Sequence, residues 1–195
     1  ELFGWLMPFA FESFSFDKYD LVISVTSEAA KGIITKPGTY HICYCLTPTR
    51  YLWSHYDLYF KNTLLRYISK PFIDYLKVWD KVAAQRPDEI IAISNEVKNR
   101  IKKYYDRDSE VIFPPVKDLN VGKEFSNSRS YYLIVSRLVP YKKVDLAIEV
   151  FNKLKYPLVI VGSGSEFPKL KLMAKKNIKF AGQVAESELI KYYKG

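Results

Sequence analysis

The sequence predicts an α/β chain built on parallel sheets, and three observations predict it. Apolar runs too continuous for half-solvated strands recur along the chain, helical periodicity separates them, and from Tyr131 to Glu166 strand, helix and strand follow one another. In that stretch, YYLIVSRLVPYKKVDLAIEVFNKLKYPLVIVGSGSE, Tyr131 to Val135 reads as a strand buried on both faces. Val144, Ala147, Ile148, Phe151 and Leu154 then fall at amphipathic-helix spacing, with Asp145 in the positive first turn. Pro157 ends the helix, Leu158 to Val161 is a second strand, and Gly162-Ser163-Gly164 closes it. Within about 30 residues this makes a right-handed parallel unit.

The other elements follow in order. The opening ELFGWLMPFAF is apolar but has no basic flank or cleavage site, and Pro8 interrupts it well short of the roughly 20 residues of a membrane span, so neither signal peptide nor transmembrane helix is predicted. Leu21 to Val25 is a strand, after which Thr26 or Ser27 caps a helix through Ala29, Ala30 and Ile33. Lys36-Pro37-Gly38 is a turn, and His41 to Cys45 is a strand ending at Thr47-Pro48-Thr49-Arg50. From Arg50 to Arg86 come nine aromatic, seven basic and three acidic residues, read as two long helices broken at Pro71. Two readings of this segment stand: aromatics packed into the core, or a face lying in a membrane interface.

Ile90 to Ile93 is a further strand, with Ser94 or Asn95 capping a helix that turns Val97 and Ile101 inward. Val111 to Phe113 is a last strand stopped by Pro114-Pro115, and the aperiodic KDLNVGKEFSNSRS over 117–130 reads as a linker. The domains expected are therefore 1–116 and 131–195. Beyond Gly164, a helix with Phe167, Leu170 and Ala174 inward carries Lys169, Lys171, Lys175 and Lys176 outward. Ile178 to Ala181 is a strand ending at Gly182-Gln183-Val184, and 186–193 begins a helix.

At 195 residues, 48% apolar and 26% charged, the chain is of ordinary globular composition. Its net charge of +9 is uneven: residues 129–195 hold 13 Lys and Arg against 5 Asp and Glu. A basic half suits a pyrophosphate ligand or an anionic surface. A nucleic-acid-binding module remains an alternative on charge, though no zinc-finger spacing or RNP-like aromatic string is present and no nucleic-acid partner is expected. Cys43 and Cys45, two apart on one strand, point to one face and are poorly placed for a disulfide. His41 shares that face, but with only His55 as another histidine, packing is preferred over a metal site.

The chemistry is expected in the loop after strand 131–135. Ligands of open parallel sheets sit outside the carboxyl ends of the strands, where the chain places Arg137, Lys142 and Lys143. A guanidinium that donates bidentate hydrogen bonds and an ammonium point charge suit a diphosphate; the competing reading is ordinary solvated cations. Gly162-Ser163-Gly164 is not a dinucleotide fingerprint, since Phe167 holds the third glycine position and the motif follows the second strand of its unit. A ribose-binding acid about 20 residues beyond a proper fingerprint is likewise missing, so another nucleotide-binding α/β protein remains only an alternative.

The strings SRLVPYKKVDLAI, VIVGSGSE and IKFAGQVAESEL resemble the donor-binding domain of the large group 1 family of retaining glycosyltransferases, whose members have two Rossmann-like domains in the GT-B arrangement. YDLVISVTSEAAKGI, CYCLTPTRYLW, EIIAISNEVKNRI and VIFPPV resemble the second half of that family's acceptor domain, closest to its mannosyltransferase branch. The resemblance implies parts of two Rossmann-like domains, both incomplete, with the glycine-rich acceptor loop before Glu1 and the carboxylate motif after Gly195. It implies catalysis by Arg137 and Lys142 without metal or cofactor, and donor contacts at Gly162, Ser163, Gly164, Gln183 and Val184. The donor implied is a nucleotide-sugar, GDP-mannose favoured, the acceptor a saccharide or lipid-linked one, and the setting cytoplasmic, at the inner face of a membrane. Leu46 stands where the family often has a histidine before Thr-Pro, so no acceptor-side histidine is assigned.

Overall fold

The computed structural model describes residues 6–54, 56, 63–116 and 131–194. The expected linker over 117–130, His55 and part of the aromatic segment lie outside the described residues. The chain divides into two compact units, Glu1–Pro115 and Val116–Gly195.

In the first unit, helix α1 (Met7–Glu12) precedes strand β1 (Leu21–Thr26), strand β2 (Tyr40–Cys45), the short helix α2 (Arg50–Trp53) and the long helix α3 (Thr63–Ala83). Strand β3 (Glu89–Ala92), helix α4 (Asn95–Tyr105) and strand β4 (Glu110–Val111) complete it. The sheet is ordered β1-β2-β3-β4, and every pair is parallel. In the second unit, β5 (Tyr132–Val135), α5 (Val144–Leu154), β6 (Leu158–Val161), α6 (Phe167–Met173), β7 (Ile178–Gly182) and α7 (Glu186–Lys194) alternate around a parallel sheet ordered β5-β6-β7. The expected α/β class with two parallel sheets is the class found.

Each unit has its own core. Cys43, Cys45, Ile90 and Ala92 on one sheet face meet Val97, Ile101 and Tyr105 of α4, the inward pair foreseen from the period included. Ser94 caps α4, its Oγ accepting from the amide of Val97 at 3.3 Å. In the second unit Leu158 and Ile160 of β6 lie under Val144 and Ile148 of α5 and Leu170 of α6.

Several local expectations are corrected. The apolar opening, for which no helix was expected, forms the short helix α1, with Pro8 in its first turn, where its missing amide costs nothing. The segment after Thr26 is a single 3₁₀ turn, Ala29–Gly32, although Thr26 Oγ1 does accept from the amide of Glu28 at 2.8 Å. Pro71 does not break the aromatic segment: α3 runs through it, and because Pro71 is exposed, the carbonyl it leaves unpaired faces the solvent side. The strand expected at 111–113 is two residues long. Helix α6 ends at Met173, so Lys175 and Lys176 lie beyond it. Tyr131–Val135 is not buried on both faces: Tyr132 is 56% exposed and Val135 41%. In β1 the apolar Leu21, Ile23 and Val25 are exposed, while Ser24 and Thr26 are buried, Ser24 beside His41.

Candidate functional site

The loop from Ser136 to Lys143 leaves the carboxyl end of β5 and is held from below and from the side. Leu138 is fully buried and anchors it. Its backbone continues the β5–β6 ladder past the strands: the amide of Ser136 donates to Val161 at 3.0 Å, that of Leu138 to Ser163 at 2.8 Å, and that of Glu166 to Leu138 at 2.9 Å. The two glycines permit this closeness. A Cβ on Gly162, whose φ is +135°, would lie 1.9 Å from the Ser136 carbonyl oxygen, and one on Gly164 would lie 2.2 Å from that of Leu138. Backbone approaches backbone here, which is the structural reason for both glycines.

Pro140–Lys142 then form a 3₁₀ turn, and Lys143, at φ 53°, takes a left-handed conformation just before α5. For a residue with a Cβ this is a locally strained state. The turn brings Arg137 and Lys142 to one aromatic ring. The Arg137 guanidinium donates to the Tyr141 hydroxyl and stands 6.0 Å from the ring centroid, and Lys142 Nζ stands 5.7 Å from the same centroid. Cations are attracted to the face of such a ring. Of the donor contacts implied by the resemblance, Ser163 and Gln183 meet directly: Ser163 Oγ donates to Gln183 Oε1 at 3.3 Å. The amide of Gly162 donates to Gly182 at 2.7 Å, which ties the turn after β7 to the same loop pair. Val184 is half-buried between β7 and α7.

Sequence reasoning missed Tyr141. The signal is an aromatic residue four positions after Arg137 and directly before Lys142. Lys142 and Arg137 are therefore brought together through a residue not singled out.

At the carboxyl end of β2, Leu46 is 37% exposed and Thr49 is buried. Below them lies a second arrangement that was missed. Asp80 of α3, 1% exposed, accepts from Lys31 Nζ at 2.5 Å, Thr49 Oγ1 at 2.9 Å, Trp53 Nε1 at 2.7 Å and the Tyr105 hydroxyl at 2.8 Å. Burial, and then the nearby Asp80 charge, pushes the Tyr105 phenol well above its ordinary value. His41 lies in the core, its Nε2 2.8 Å from Ser24 Oγ, and its Nδ1 has no protein partner. Burial pushes its pKa down, against the pull of Asp88. Cys43 and Cys45 are free and buried, and burial pushes the Cys45 thiol up to about 12. Among the described residues no group of three or more His, Cys, Asp or Glu side chains is placed to hold a metal ion.

A family model, Glycosyl transferases group 1, matches residues 117–195, which includes every residue of the loop site. No curated protein matches the chain. Among solved structures, the apo form of the lipopolysaccharide outer core galactosyltransferase WaaB is similar, with a TM-score of 0.52 and 18% identity over 96% of this chain and 49% of its own. A variant of S. aureus TarM in complex with fondaparinux, alpha-GlcNAc-glycerol and UDP is similar over 58% of this chain and 24% of its own, with a TM-score of 0.47 and 24% identity. The chain thus spans about half the length of WaaB. The likeness to WaaB is one of fold, the GT-B type with two parallel-sheet units.

Proposed function

We propose that this chain provides the nucleotide-sugar site, and part of the acceptor side, of a group 1 glycosyltransferase. The observation that carries this reading is the cradle at Arg137, Tyr141 and Lys142, lying within the segment that the glycosyltransferase family model matches. The donor is a nucleotide-sugar, GDP-mannose in our reading, and the acceptor is a saccharide or a lipid-linked one, as in polysaccharide biosynthesis. Transfer proceeds with retention and without metal, through an oxocarbenium-like state. As the glycosidic bond lengthens, charge grows on the departing diphosphate, and Arg137 and Lys142 stabilise it more strongly than they do the bound donor. Gly162, Ser163 and Gly164 form the loop facing the diphosphate, and Gln183 and Val184 lie at the base. The work takes place in the cytoplasm, at the inner face of a membrane.

Thermal unfolding of the chain with GDP-mannose, UDP-sugars and ADP-sugars tests the reading. A selective ligand at 100 times its Kd stabilises the folded state by about 2.7 kcal/mol. The expected result is a rise in Tm with GDP-mannose that Arg137→Ala and Lys142→Ala each abolish. A chain whose Tm ignores all three classes of nucleotide-sugar overturns the proposal; a response to UDP-sugars alone replaces the donor and keeps the site.

A further inference from the structure

Helix α3 carries two apolar stripes where a helix at the surface of a domain needs one. The inner stripe, Ile73, Leu76 and Ala83, is buried, and Asp80 in the same phase holds the polar cluster with Lys31. At about 100° per residue, Leu64, Tyr67, Ile68, Tyr75, Val78 and Val82 fall within roughly 100° of one another on a different side. Each of the six is between 48% and 79% exposed. Pro71 lies in the same arc, exposed, and does not end the helix. Twenty-one residues at about 1.5 Å each make this an apolar ridge of roughly 30 Å, far longer than a scattered exposed leucine.

Cations border the ridge along one flank, between it and the buried stripe: Arg66, Lys70, Lys77 and Lys81. Asp74, the one acid among them in the described residues, pairs with Lys70 at 2.6 Å. Arg66 and Lys77 both stand over the ring of Tyr56, at 5.0 and 5.6 Å from its centroid, which gathers two of the charges beside the ridge. An apolar stripe with a row of Lys and Arg along its border, on a helix too polar to cross a membrane, is the pattern of a helix lying in the plane of an anionic lipid surface. Two copies of this face would set like charges against each other, so the charge pattern disfavours self-pairing.

We propose that the outer face of α3 is a docking surface for an anionic lipid bilayer, with Leu64, Ile68, Tyr75, Val78 and Val82 at the acyl boundary and Arg66, Lys77 and Lys81 at the headgroup phosphates. This deepens the membrane part of the proposed function and holds whether or not the chain transfers a sugar.

The test is co-sedimentation of the full chain with vesicles of phosphatidylcholine alone and of phosphatidylcholine with phosphatidylglycerol at low salt. Two triple variants accompany it, Ile68→Asp with Tyr75→Asp and Val78→Asp on the exposed outer side of the helix, and Arg66→Glu with Lys77→Glu and Lys81→Glu on its flank; circular dichroism confirms that the variants fold. The expected result is binding to the anionic vesicles that falls at least tenfold in each variant and drops as salt screens the headgroups. Binding that both variants retain places the surface elsewhere and overturns the proposal. Absence of binding overturns it as well, and if light scattering then shows a dimer that the apolar variant dissociates, the ridge is a self-association face. Nucleotide-sugar stabilisation measured on the same samples separates a failure here from a failure of the transferase reading.

Discussion

Tyr141 solves a problem that two neighbouring cations pose before any anion arrives. Arg137 and Lys142 repel each other, and the ring between them offers a hydroxyl to one and a negative π face to both. The strained Lys143 backbone and the buried Leu138 hold the turn that presents this ring. In the proposed donor site, such a preorganised cradle avoids ordering two long side chains on binding, each of which costs about 0.5–1.5 kcal/mol. Tyr141→Phe keeps the ring and removes the hydroxyl, so it is expected to raise the Kd for a nucleoside diphosphate several-fold, and Tyr141→Leu, which removes both contacts, to raise it further. Isothermal titration of the three proteins checks the order; equal affinities would show that the ring plays no part in positioning.

At the scale of elements, the first unit is pinned by one carboxylate. Asp80 joins α3 to the 3₁₀ turn through Lys31, to α2 through Thr49 and Trp53, and to the end of α4 through Tyr105. Side-chain exposures of 3% and 2% for Lys31 and Asp80 make this a pair whose charges cannot be left alone. Removing one partner of such a pair strands the other, at a cost of about 3–5 kcal/mol. Asp80→Asn is therefore expected to lower stability by that order in urea unfolding, and Asp80→Asn with Lys31→Met to recover part of the loss. The Lys70–Asp74 pair on the outer face of the same helix, 66% and 53% exposed, is expected to contribute little by the same measurement.

On the scale of the whole molecule, the two units hold separate cores, and the acid sensitivity belongs to the first. His41 is 1% exposed, and burial holds its pKa below the ordinary 6.5. The unfolded chain takes up a proton near that value while the folded chain resists it, so the unfolded state binds more protons as pH falls. Stability is therefore full above about pH 6.5 and declines below it, with a slope approaching about 1.4 kcal/mol per pH unit until the folded histidine also protonates. Urea midpoints between pH 7.5 and 5 check this. The decline should flatten in His41→Gln, and a wild-type midpoint that is level across this range would contradict the account of His41.

Period and composition alone determined the parallel α/β class, the inward face of α4 and that of α5 at Val144 and Ile148, though not at Leu154, which is 53% exposed, the strand ends where the basic loop sits, and the capping by Ser94, because these follow from interactions within a turn or two of chain. The pairing of the 136–138 and 162–166 loops, the meeting of Arg137 and Lys142 on Tyr141, and the four donors converging on Asp80 were decided only by the tertiary structure. Asp80 shows why: it lies in phase with Ile73, Leu76 and Ala83, which marks it as inward, but its partners stand 49, 31, 27 and 25 residues away. The exposure of β5 and the continuity of α3 through Pro71 have the same origin. Local propensity states what a residue prefers, and the neighbours that the fold supplies, or withholds, decide whether a strand face is covered and whether a freed carbonyl meets water or the core.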